Sequence, residues 1–411
     1  MATFGILVGG GPAPGINGVI GAATIAAERA GARVIGMLEG FRWLMEGDTS
    51  HVRELRAEEV STIHLQGGSI LKTSRANPTK QAGHLEAVVK SLESLGVDHL
   101  ITIGGDDTAF SSHRVAEAAE GRIKVVHVPK TIDNDLPLPE GTPTFGFETA
   151  RACGAQVLTR LMEDARTTQR WYIAVVMGRH AGHLALGCGK AAGATVSLIA
   201  EDFAEGSIRL DSVARIVEGS ILKRMAAGEP YGLVVLAEGL GERFDERDLE
   251  GIGDVERDDH GHIRLAEMPV GRVVRDAVRD ALAERGVKLT MVVKDVGYEL
   301  RCAEPVAFDI DYTRDLGVGA VRTLLGGQSQ KLITRQQGSI VPLSLDDLMD
   351  PATGRTRVRM VDTSTDSHAI AHELQVRIEA ADLEDEGRAA AIAEAGGLAV
   401  DALRERFGSV V

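Results

Sequence analysis

Two adjacent carboxylates, Asp106 and Asp107, directly follow the run "LITIGG" in this 411-residue chain. A strand that ends in glycines bares its backbone, and one aspartate there can hold Mg²⁺ while phosphate approaches the amides. Like charges side by side repel, so the second carboxylate needs a separate function. Helix capping accounts for one of Asp106, Asp107 and Thr108, but not for both carboxylates. A second concentration of charge is "VPKTIDNDLPLP". There Lys130 precedes Asp133 and Asp135, which point the same way in extended backbone. One suits a general base on a hydroxyl, and Lys130 suits the charge on a transferring phosphoryl group. A third stretch, "LVGGGPAPGINGVI", reads as strand, Gly/Pro loop and helix start, a generic anion cradle. Pro14 breaks the dinucleotide fingerprint, and Ile16 stands where a Walker loop needs lysine. Lys72, Arg75, Arg170, Arg179, Tyr298 and Arg301 supply groups that bind phosphate oxygens. The histidines of "HAIAHE" (His368, His372) read as a helical surface pair, and "RHAGH" and "DDHGH" as non-metal clusters.

These loops need strands to hold them. Buried-strand patterns cover residues 4–8, 33–38, 99–103, 124–128, 171–177, 195–200, 231–237 and 289–293. Helical patterns cover 17–30, 81–95, 148–164, 211–225, 271–284 and 314–325. The alternation predicts open, mostly parallel sheets with helices on both faces. Ligands sit at the carboxyl ends of such strands, where the glycines at 9–11, 104–105, 178, 239 and 297 fall. Residues 243–264 read as an exposed, charge-rich excursion. The tail beyond Pro351 reads as a helical appendage.

The bulk numbers narrow the partners. A net charge of −15 argues against nucleic acid or an anionic membrane surface. Hydrophobic residues make up 44% of the chain and aromatics 4%, with 48 glycines, which suits helices packed closely on parallel sheets. No apolar run approaches the ~20 residues of a membrane span. The scattered Cys153, Cys188 and Cys302 and a start directly on a strand lead us to expect a cytoplasmic protein.

In order along the chain, "GGGPAPGIN", Ser74–Arg75, "GGDDT", "PKTIDND", "MGR", "AEG" and "GYELR" resemble the phosphofructokinase family over residues 1 to about 325. The resemblance implies two doubly wound, Rossmann-like domains with the active site in the cleft between them. It implies a donor and Mg²⁺ domain from 1–140 plus about 255–305, and a sugar-phosphate domain from 141–254 plus about 306–345. Residues 346–411 would form a largely helical extension. Asp133 resembles the general base on the sugar 1-hydroxyl, and Asp106 the Mg²⁺ ligand. Gly10, Gly11, Arg75 and Lys130 would meet the donor phosphates. Thr131, Asp133, Met177, Gly178, Arg179 and Glu238 would touch fructose 6-phosphate, and Tyr298 and Arg301 would grip its 6-phosphate. Arg170 resembles an arginine contributed across a subunit interface, which implies a homodimer or homotetramer.

ATP-using relatives usually carry glycine at the position of Asp107. A carboxylate there stands where the α-phosphate of ATP must pass, and two anions close together in a poorly solvated cleft cost several kcal/mol. Asp107 with Lys130 therefore resembles the pyrophosphate-dependent branch, whose reaction is reversible and serves glycolysis and gluconeogenesis. The competing readings are an ATP-dependent phosphofructokinase, a kinase acting on sedoheptulose 7-phosphate, and an NAD or lipid kinase with a similar glycine loop. A catalytically dead regulatory subunit would have lost Asp106, Lys130 or Asp133. A dinucleotide-dependent oxidoreductase would need the glycine fingerprint.

Overall fold

Apolar runs that end in glycine become strands buried on both faces, as parallel sheets between helix layers require. The computed structural model describes residues 1–139, 141–249, 268–350 and 356–409. The strands are β1 (Thr3–Val8), β2 (Arg33–Met37), β3 (Val52–Glu54), β4 (His99–Gly104) and β5 (Lys124–Pro129). They continue with β6 (Trp171–Val176), β7 (Val196–Leu198), β8 (Gly232–Ala237), β9 (Met291–Val296), β10 (Lys331–Gln336) and β11 (Ser339–Ser344). Every residue of β1, β6 and β8 is buried.

The chain divides into two units, Met1–Ala150 with Tyr298–Arg359, and Arg151–Gly297 with Met360–Val411. In the first unit the sheet order is β11-β10-β5-β4-β1-β2-β3. Its inner pairs are parallel, and antiparallel β3 and β11 close the two edges. The helices Ile16–Arg29 and Ala307–Leu325 cover one face through Val19, Ile20, Ala23, Tyr312, Leu316 and Ala320. Their approach is close enough that a side chain on Gly317 would stand 2.6 Å from the Val19 carbonyl oxygen. The helices His84–Ser94 and Asp106–Ala118 cover the other face through Val88, Leu92 and Val115.

The second unit has an all-parallel sheet of order β7-β8-β6-β9. Its core includes Ile378, Leu383, Ile392, Leu403 and Phe407 from the end of the chain. The C-terminal segment is thus part of the core of this unit, where the sequence led us to expect an appendage. Glu218, fully buried, receives Arg285 and Arg406, the latter at 2.6 Å, and Lys223 meets Asp382 at 2.6 Å. A buried carboxylate persists only when its charge is met in this way.

The division differs from the one expected. Residues 291–296 pair with β6 and so belong to the second unit, not to the donor domain. Residues 306–345 supply β10, which pairs with β5, and so belong to the first. Most of the expected charge-rich excursion, and the "DDHGH" histidines, lie outside the described residues. Among the described residues, no helix is long and apolar enough to cross a membrane.

Candidate active site

The first unit changes winding direction at β1, with β4 on one side and β2 on the other. At such a switch point a crevice opens at the strands' carboxyl ends, beside the segments that leave β1 and β4. Gly9 to Gly11 follow β1, and Asp106 to Thr108 begin the helix that follows β4. A side chain on Gly9 would lie 2.4 Å from the Thr108 hydroxyl, so glycine is what lets the segments approach.

The Gly9 N–H donates to the Ile103 carbonyl at 2.8 Å, and the Gly10 N–H to the Ser74 carbonyl at 2.8 Å. The Gly10 amide is therefore engaged, and the expectation that it cradles phosphate does not hold for its N–H. Gly10 instead supplies room: its φ is +81°, and a side chain on it would stand 3.3 Å from Lys130 Nζ. Among the described residues the Gly11 N–H has no protein acceptor. The same Gly10–Ser74 contact holds exposed Arg75 beside the loop.

Lys130 is the buried cation of the crevice, 5% exposed, and its ammonium donates to the Gly11 carbonyl at 2.5 Å. Its backbone N–H donates to the Gly104 carbonyl at 2.7 Å, which extends the β4–β5 pairing by one residue. Burial pushes its pKa down to about 8; nearby Asp133, Asp106 and Asp135 oppose that shift, and Arg301 adds to it. Three carboxylates and two cations thus share one field. Burial also pushes His127, three residues before Lys130, down to about 3, so it stays a neutral donor and acceptor between Thr102 and Gly104.

Asp106 and Asp107 are both exposed in the first turn of their helix. The N-cap residue is Gly105, and no side chain caps it, so neither carboxylate is there to cap. An exposed carboxylate beside phosphate and water oxygens is the donor set Mg²⁺ takes, and Asp106 fits it.

The loop after β5 departs from extended backbone. Asn134 has a φ of +56°, so strand alternation does not align Asp133 with Asp135, contrary to the expectation from the sequence. The Asp133 N–H donates to Thr131 Oγ1 at 3.0 Å, and the Thr144 hydroxyl donates to the Thr131 carbonyl at 2.8 Å. Arg359, which sequence reasoning missed, clamps this loop. Its backbone N–H donates to the Asp135 carbonyl at 2.7 Å, its Nε to the Asn134 carbonyl at 3.0 Å and its Nη1 to the Thr142 carbonyl at 2.9 Å. Its Nη2 also donates to the Asn134 side chain. No motif marks it, because its partners lie more than two hundred residues earlier.

Arg301 also lies in this unit, its guanidinium carbon 3.6 Å from where a Gly11 side chain would begin and 5.0 Å from the Tyr298 ring centroid. Tyr298 is 79% exposed. In the second unit, Met177, Gly178 and Arg179 leave β6, and Glu238 leaves neighbouring β8. The Gly178 N–H donates to Glu238 Oε2 at 3.0 Å, and the Gly239 N–H to the Gly178 carbonyl at 3.1 Å. A side chain on Gly239 would stand 2.5 Å from the Arg179 carbonyl oxygen. Arg179 is exposed. Arg170 precedes β6, so the whole strand, about 20 Å at some 3.3 Å per residue, separates it from Arg179 in the same chain.

A profile of the family described as Phosphofructokinase matches residues 3–324. A Thermotoga maritima protein named pyrophosphate–fructose 6-phosphate 1-phosphotransferase is 52% identical, over 93% of this chain and 92% of its own length. A Naegleria fowleri protein of the same name is 53% identical, over 94% of this chain and 90% of its own. A pyrophosphate-dependent phosphofructokinase structure from Marinobacter aquaeolei superimposes with a TM-score of 0.68 at 18% identity, covering 92% of this chain and 93% of that one, which speaks to the fold.

Proposed function

The chain belongs to the phosphofructokinase family, and from that premise we propose that it transfers a phosphoryl group from pyrophosphate to the 1-hydroxyl of fructose 6-phosphate. The products are fructose 1,6-bisphosphate and phosphate, and the reaction is reversible. The observation that carries the reading is Lys130: a buried ammonium beside the glycine loop, in the field of Asp133 and Asp106.

Asp133 takes the proton from the 1-hydroxyl as that oxygen attacks phosphorus in line. Lys130 and the Gly11 N–H meet the charge on the transferring group, and Arg75 holds the outer phosphate. Asp106 would hold Mg²⁺, which when bound neutralises phosphate charge. Thr131 fixes the loop that aims Asp133. Met177, Gly178, Arg179 and Glu238 bind the sugar, and Tyr298 and Arg301 its 6-phosphate. Arg301 also lies beside Gly11, so its charge reaches the donor loop as well. Arg170, at the far end of β6 from Arg179, serves the site of a neighbouring subunit. Asp107 excludes the longer donor by charge. The high identity to relatives named for pyrophosphate supports the donor assignment.

The direct test offers the purified protein fructose 6-phosphate and Mg²⁺ with pyrophosphate or ATP separately. Product is expected with pyrophosphate and not with ATP. Product with ATP alone would reject the donor assignment and leave the sugar chemistry standing.

A further inference from the structure

The two histidines read from sequence as a surface pair turn instead onto a buried carboxylate. Asp202 ends the short 3-10 turn Ala200–Asp202 after β7, and its side chain is 4% exposed. His368 and His372 lie one turn apart on the helix Asp366–Glu373, so their rings share a face. Their side chains are 11% and 29% exposed. His368 Nε2 lies 2.8 Å and His372 Nε2 3.0 Å from the same oxygen, Asp202 Oδ1. The ring centroids are 4.4 Å apart.

We propose that Asp202, His368 and His372 form a binding site for a divalent ion of the zinc type, separate from the chemistry of phosphoryl transfer. Two imidazoles with one carboxylate are a donor set that zinc accepts, with water in the remaining position. All three donor atoms lie within 4.8 Å of one another. Ligands about 2.0–2.1 Å from a tetrahedral ion stand about 3.3 Å apart, so the present N···O distances need open by only a few tenths of an ångström. Imidazole donors disfavour Mg²⁺, which prefers oxygen alone, so this ion differs in kind from the one Asp106 suits. Charges around the cluster are mixed. Arg377 stands 3.8 Å from Asp202 Oδ2, while Asp362 interacts with His368 and adjacent Glu201 carries a buried Oε2 without a protein partner. The ion would pin the helix Asp366–Glu373 to the turn after β7, a second fastening beside Lys190, whose Nζ donates to the Ser367 carbonyl at 2.8 Å.

The test titrates chelator-stripped protein with Co²⁺ and then Zn²⁺. One Co²⁺ per chain with strong visible bands is expected, displaced by Zn²⁺ and untouched by excess Mg²⁺. His368→Gln and His372→Gln should each abolish the bands while the far-ultraviolet dichroism stays unchanged. Zn²⁺ should raise the unfolding temperature of the wild type only. If either variant fails to fold, X-ray absorption of the zinc-loaded wild type decides: two imidazoles and an oxygen sustain the site. Absence of Co²⁺ uptake, bands that survive both substitutions, or a zinc shell without two imidazoles overturns it. Simple hydrogen bonding of two imidazoles to Asp202 is what would then remain.

Discussion

At the scale of single residues, Lys130 is drawn two ways: the proposed phosphoryl transfer wants its charge, and burial opposes that charge. With a pKa near 8, the ammonium is present at neutral pH and is lost as pH rises through about 8. The value of kcat/KM, which reports the free enzyme, is expected to fall along that limb, and Lys130→Arg should remove the limb while lowering the rate. Stability moves the other way. The unfolded lysine keeps its proton to about 10.4, so between about 8 and 10.4 the folded chain binds fewer protons and gains stability with pH. Asp107 allows a second prediction. Asp107→Gly should make ATP turnover measurable and leave most pyrophosphate turnover intact; a variant with no ATP activity would remove the charge-exclusion account. That Asp106, Lys130 and Asp133 meet in one field was legible, because their residue types and spacing after two strand ends suit a shared anionic ligand. The part played by Gly10 was not, since the direction of an amide depends on a partner 64 positions away. The turn at Asn134 had a signal that went unused, because asparagine tolerates left-handed backbone.

At the scale of elements, the loop that carries Asp133 depends on a guanidinium from far along the chain. Arg359 satisfies carbonyls of Asn134 and Thr142 that, among the described residues, no strand reaches. Arg359→Ala leaves them short of a donor and frees the loop. A misplacement of about 1 Å can cost about a hundredfold in rate. We therefore expect kcat to fall by roughly ten- to a hundredfold with a smaller change in the KM for pyrophosphate, measured by steady-state kinetics. Arg359→Lys should recover little, as a single ammonium cannot span several carbonyls. The inner strands were legible as continuous apolar runs. The last hairpin was not: "KLITRQ" of β10 is largely polar, and "SIVPLS" of the edge strand β11 is interrupted by Pro342, so neither gave a strong pattern. The strand at β9 begins two residues later than expected and runs on through Lys294 and Asp295, both exposed, which disguised its end.

At the scale of the whole molecule, the proposed place of Arg170 in a neighbour's site predicts complementation. Arg170→Ala and Asp133→Asn should each be nearly inactive alone. Hybrid oligomers formed by unfolding and refolding the two together should regain activity, because one site then holds wild-type Asp133 and the neighbour's wild-type Arg170. Hybrids as inactive as their parents would return Arg170 to its own chain. How the segments divide between units was not legible in the sequence, because strand pairing decides it over long separations: residues 331–332 join β5, and residues 291–296 join β6. That interleaving has a consequence for biosynthesis. When β5 leaves the ribosome, the two strands beyond it have not been made, and neither has the helix Ala307–Leu325 that covers Ile16–Arg29. At about 5–20 residues per second, the growing chain carries an unpaired strand edge and an uncovered apolar helix face for roughly ten to forty seconds. The pace of translation across the second unit sets how long the first stays open to chaperones or to a neighbouring nascent chain.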